Sequence, residues 1–168
     1  ALQSTDLEPV FKKVKNQNAV LLMDVQYKGG IDAGKEKVVE PALTDYIKLL
    51  FGDKEDDNAP PPPNRLLVFG NPPFQDALKK GDHGLFYTVL ADGLTGKADK
   101  GTYNEGYESD GLVTAKELGA YIEKELPIAA RSVGKTDKEK ELTPVVGGGA
   151  TSKFWLTRNP DETAKVKK

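Results

Sequence analysis

No cysteine occurs in the chain, which excludes a disulfide framework, a thiolate metal site and any thiol nucleophile of its own. His83 is the single histidine, so a His-rich metal site or a His pair is excluded as well. Long apolar runs are lacking. The longest, Ala19 to Met23, falls far short of the roughly 20 residues that cross a bilayer. Nor is there an excess of one charge: 24 basic and 26 acidic residues leave a net charge of −2, and no overall field draws the protein to nucleic acid or to an anionic membrane. Neither is expected as a partner. A leader pattern is missing too, because Lys12, Lys13 and Lys15 interrupt the scattered apolar positions near the start. This favours a soluble chain, cytoplasmic rather than secreted.

What is present fits one domain over residues 1–168, long enough to bury a real core. Thr5 and Glu8 form a capping-box pattern ahead of the stripe Leu7, Val10, Phe11 and Val14, which predicts a first helix. Ala19 to Met23 is apolar without alternation and reads as a central parallel strand covered on both faces. Pro41, Leu43, Tyr46, Ile47, Leu50 and Gly52 carry a second helical pattern. Residues 53–64, acidic and then holding four consecutive prolines, read as an exposed connection. Arg65 to Gly70 is the next strand. A helix follows from about Gly84, burying Leu85, Phe86, Val89, Leu90 and Leu94, with Asp82 as its cap and His83 in its first turn. Thr114 and Glu117 form a second capping box leading into Leu118, Tyr121, Ile122 and Leu126, up to Pro127. Thr136 to Glu141 reads as a charged loop, Gly147-Gly148-Gly149 as a flexible one, and Phe154 to Thr157 as a terminal strand. The alternation predicts an α/β sandwich of three layers, a mostly parallel sheet flanked by helices.

The exit of the first strand is the place to look for chemistry. Leu21-Leu22-Met23-Asp24-Val25-Gln26-Tyr27-Lys28-Gly29-Gly30 has the form of a nucleophile turn, with position 26 at the carboxyl edge of a sheet, facing a cleft. Gln26 cannot act as a nucleophile, since its amide nitrogen is delocalised and no base could activate it. Nothing in the residues asks for a cofactor.

Three stretches together resemble the caspase-like cysteine peptidases, especially their bacterial and metacaspase-like branches: LLMDVQYKGG; RLLVFGNPPFQDALKKGDHGLFYTVLADGLTGKAD; and SDGLVTAKELGAYI with ELTPVVGGGATSKFWLT. The resemblance places Gln26 at the catalytic Cys position and implies a caspase-like fold, here its carboxyl-terminal part. It also implies that the catalytic His lies on an earlier strand, whereas only 25 residues precede Gln26 and none is His. The expectation is a catalytically inactive module, a pseudo-peptidase that binds a peptide or protein partner. The alternative is a fragment of a cysteine endopeptidase whose Cys is replaced by Gln26 and whose His lies on an upstream segment or companion chain. A sheet completed only in part would pair through a strand edge, with that upstream segment or with a second copy.

The resemblance further implies that Asp24 helps form an acidic pocket for a basic side chain, which a carboxylate pairs with readily. The alternative is an Asp that caps the following bend through its own backbone contacts. His83 reads as structural rather than as a base. Gly106 to Glu117 mimics a calcium loop, with Asp110, Gly111 and Glu117 at the fifth, sixth and twelfth positions, but Gly106 supplies no carboxylate at the first and Glu117 is already explained by its cap. An acidic structural turn is expected there, and no metal site. Gly147-Gly148-Gly149 lacks the Lys-Ser/Thr of a phosphate loop, and Trp155 reads as core or edge packing rather than a binding hot spot.

Overall fold

A computed structural model of the chain describes residues 9, 18–25, 64–71, 76–106, 109–148 and 153–162. The expected helices around Val10 and Leu43, the connection over 53–63, Gln26 and Gly149 lie outside them.

Two apolar runs form the strands β1 (Ala19–Met23) and β2 (Arg65–Phe69), paired in parallel from Ala19 opposite Arg65 to Met23 opposite Phe69. The ladder continues past the strand ends, where the Gly70 N–H donates to the Met23 carbonyl at 2.9 Å. On the other side of β2, Val145–Gly147 (β6) pairs antiparallel, with Gly147 opposite Leu67. The three-stranded sheet is therefore mixed, with order β1-β2-β6. Among the described residues β2 has a paired strand on both sides and β1 on one. Leu66, Leu67 and Val68 are fully buried, whereas Ala19 to Leu22 are only partly so. Gly147 belongs to a strand, not to a flexible loop, because β2 supplies the backbone partners its sequence does not announce.

Alternate residues of β2 serve opposite faces. Leu66 and Val68 join the main core with Leu85, Phe86, Val89, Leu118 and Ile122, while Leu67 and Phe69 pack with Met23 beneath the other face. The α/β character is thus established, with one helical layer described. That layer is built from α1 (Leu85–Asp92) and α2 (Ala115–Val133). The α1 spiral widens into a π turn over Gly93–Lys97 and stops where Gly96 takes φ 113°, a value glycine reaches without a Cβ penalty. The first turn of α2 is fixed by the Thr114–Glu117 capping box. Unlike the expectation, α2 does not stop at Pro127 but runs six residues further to Val133. Proline removes one helical bond and crowds the carbonyl four residues back, at a cost of about 3 kcal/mol. That carbonyl belongs to Glu123, an exposed residue, while Leu126 and Ala130 beyond it stay fully buried and hold the helix on.

Two further elements depart from the sequence expectation, and the expected terminal strand pairs outside the main sheet. His83–Gly84 (β4) pairs with Lys79–Lys80 (β3) as a small hairpin. Gly81, at φ 63°, supplies the turn, so Gly-Asp marks a hairpin, and Gly84 rather than Asp82 precedes α1, without a side-chain cap. The charged stretch after Thr136 forms a one-turn helix, α3 (Asp137–Lys140), started by a Thr136–Glu139 capping box. Finally, Trp155–Arg158 (β7) pairs antiparallel with Leu112–Thr114 (β5) as a separate ribbon. Phe154 and Leu156 pack on the core, and strand alternation turns the intervening Trp155 into solvent at 59% exposure. The expectation of a packed Trp155 does not hold. No helix among the described residues is long and apolar enough to cross a membrane.

Candidate functional site

Parallel pairing puts the ends of β1 and β2 side by side, and Asp24 and Asn71 stand just beyond them. Asp24 is exposed; Asn71 is buried, and its Nδ2 donates to Asp24 Oδ1 at 3.2 Å. The other carboxylate oxygen lies against Gly84, where an added Cβ would come within 3.0 Å of Asp24 Oδ2. Three elements therefore converge on one carboxylate: β1 carries it, β2 orients it through Asn71, and the amino end of α1 abuts it. A helix amino end favours negative charge, and an exposed carboxylate held in one orientation is suited to pair with a cation. The rim next to it is aromatic. The His83 and Tyr87 rings lie 5.3 Å apart, and Tyr87 is 53% exposed. His83 sits in the hairpin, exposed and without a carboxylate within ion-pair distance among the described residues.

The calcium-like turn is closed by a residue that the Gly106 numbering does not include. Asp99, 1% exposed, accepts the backbone N–H of Asp110 at 3.2 Å and of Gly111 at 3.1 Å, and the Asn159 side-chain amide at 3.0 Å. Its own carbonyl accepts Ser109 Oγ at 2.6 Å. Asn159 seats over Gly96, where a Cβ would stand 2.5 Å from Asn159 Oδ1, and its N–H donates to the Gly111 carbonyl. One buried carboxylate thus ties the end of the π turn, the acidic loop and the end of β7. Asp110 Oδ1 accepts the Leu112 N–H at 2.9 Å, and Glu117 accepts the Thr114 N–H and hydroxyl at 2.8 and 2.9 Å. Asp99, Asp110 and Glu117 are each committed to local donors, and no group of three His, Cys, Asp or Glu side chains that could hold a metal ion occurs among the described residues.

Burial pushes the Glu117 carboxyl above its ordinary range, with Asp99 and Asp110 adding to the rise against the hydrogen bonds from Thr114. A raised carboxyl holds its proton in the folded state at a pH where the unfolded chain has released it, so folding stability falls as pH rises through that interval. Gln preserves the capping geometry without the charge. Glu117→Gln is therefore expected to abolish this part of the pH dependence, whereas Glu117→Ala loses the cap, about 1 kcal/mol. Urea midpoints measured from about pH 4 to pH 7 check it; an unchanged slope in Glu117→Gln would contradict the assignment.

Of the residues singled out in the sequence, Asp24 is placed at the carboxyl edge of the sheet and His83 stands beside it, with Tyr87, which the sequence reading did not single out, next to both. Sequence reasoning missed Asn71, Asp99 and Asn159, whose partners lie 47 and 60 residues away along the chain. The one available signal was the position of Asn71, directly after a strand. Compared with protein-family models, curated proteins and solved structures, the chain matches none.

Proposed function

We propose that the chain is a non-catalytic module of caspase-like ancestry that binds a peptide or protein partner through a basic side chain held by Asp24. The observation that carries this is the exposed Asp24 carboxylate at the carboxyl end of β1, fixed by the buried Asn71 amide of the neighbouring strand. Carboxyl ends of parallel strands are where α/β proteins bind ligands. A chain without cysteine has no thiolate to attack a peptide bond, which supports binding without turnover. The outer edge of β1 bears no strand among the described residues, and this supports pairing there with an upstream segment or a second copy.

Calorimetric titration with a blocked arginine-containing tripeptide tests the anchor. Asp24→Asn removes the charge while keeping the shape, and affinity is expected to fall about tenfold or more, the weight of a hydrogen bond to a charged group. Equal affinity in the two proteins would sink the proposal. The peptidase-fragment alternative is separated by Gln26→Cys. No hydrolysis of basic fluorogenic peptides is expected from that variant, because a thiol near its ordinary pKa of about 8.5 stays largely protonated without an imidazole to take its proton. Turnover by the isolated variant would favour the peptidase reading and reopen His83 as a base.

A further inference from the structure

A second concavity lies away from Asp24, between the facing sides of α1 and α2. It encloses about 380 Å³, within the range of small-molecule sites. Its lining is mostly polar, with an apolar patch contributed by Val89, Tyr121 and Ile128, the last 45% exposed. The edge of Tyr121 meets the Tyr103 ring at 5.0 Å and 71°, so aromatic surface lines one wall. The charges at the rim are unequal in their commitments. Asp92 is neutralised by Lys97 at 2.8 Å, and Glu125 accepts the Tyr103 hydroxyl at 2.8 Å. Asp92 is thereby neutralised, while Glu125 keeps its charge and points it at the Tyr103 hydroxyl. Lys80 and Lys100, also on the rim, form no ion pair among the described residues, and Lys124 adds its ammonium 5.5 Å from the Tyr103 ring centroid. Two ammonium groups without an ion pair beside an apolar, aromatic patch are complementary to a molecule that joins an anionic group to a flat apolar body.

We propose that this groove binds a small organic anion, a carboxylate, sulfonate or phosphate ester carrying a flat apolar body. The body lies on Val89 and Tyr121 beneath Ile128, and the anionic group reaches the Lys80 and Lys100 ammonium groups. The site is independent of the Asp24 anchor and uses none of its residues.

The test is a fluorescence titration of the intact chain with anilinonaphthalene sulfonate, which combines an aromatic body with one negative charge. Saturable one-to-one binding is expected, weakened by salt and displaced by naphthoate. Lys80→Glu combined with Lys100→Glu should weaken it by about tenfold or more through reversed charge at close range. Ile128→Ser should weaken it through the apolar patch, and Lys135→Glu, outside the groove, should leave it unchanged. Circular dichroism confirms that each variant keeps the native fold, and all substituted side chains are exposed. Absence of saturable binding, equal affinity in the Lys80/Lys100 variant and the parent, or displacement by an acidic peptide but not by naphthoate would overturn the proposal.

Discussion

Asp99→Ala is expected to destabilise the protein by about 3 kcal/mol, because it strips three N–H donors of their shared acceptor in a site largely closed to water. For a domain of this length that corresponds to a fall in Tm of roughly 6–12 °C. Asp99→Asn keeps one acceptor oxygen but turns an NH₂ group toward a backbone N–H, so it should lose an intermediate amount. The effect should be cooperative with Asn159→Ala, since each variant removes the same amide–carboxylate bond and the pair should cost less than the two singles together. Thermal unfolding of the three single variants and of the Asp99→Ala/Asn159→Ala double checks it. A loss under about 0.5 kcal/mol for Asp99→Ala, the range of an ordinary surface change, would mean that the carboxylate is not a structural tie.

Gly70→Ala should be comparably damaging for a steric reason. An added Cβ would stand 2.2 Å from Cγ of Phe86 and 2.7 Å from its Cβ, and Phe86 is 3% exposed in the core of α1. The ring cannot retreat without moving the helix. Overpacking of this kind costs about 1–3 kcal/mol, and a clash with the root of a buried ring belongs at the upper end. The consequence reaches the candidate site, because Gly70 immediately precedes Asn71 and the same helix start lies against Asp24. Phe86→Ala is the control: it removes Cγ and Cδ2, the two atoms nearest the added Cβ, and should recover part of the loss when combined with Gly70→Ala. Denaturant midpoints for the two singles and the double decide it, and simple additivity would contradict the proposed clash.

The parts of the fold written in local chemistry were legible. Ala19 to Met23 and Arg65 to Phe69 are strands because short apolar runs bounded by polar residues leave few alternatives, and α2 begins where Thr114 and Glu117 satisfy each other's backbone neighbours. The same capping logic would have found α3 from Thr136 and Glu139, but charge density there suggested a loop. What stayed hidden depends on residues distant in sequence. Gly147 is a strand residue only because Leu67 faces it, and Trp155 is exposed only because Phe154 and Leu156 take the inward positions of a ribbon paired with β5. Pro127 is tolerated by burial on either side of it rather than by propensity. In the candidate site Asp24 was legible from its place at a strand exit. Asn71 was not, since only the parallel register brings the two strand ends together. The Asp99 tie was misread for a related reason: spacing within the turn pointed to Gly106 as its start, while the carboxylate that closes it enters from the end of the π turn.

The central claim is that a basic group docks at the carboxyl end of β1, and it is most directly tested by mapping backbone amide shifts during titration of a blocked arginine tripeptide into the isotope-labelled chain. Saturable shifts concentrated at Asp24, Asn71, Gly84 and Tyr87, and absent in Asp24→Asn, are the predicted result. Shifts that are absent, that centre elsewhere, or that persist unchanged in Asp24→Asn would contradict it.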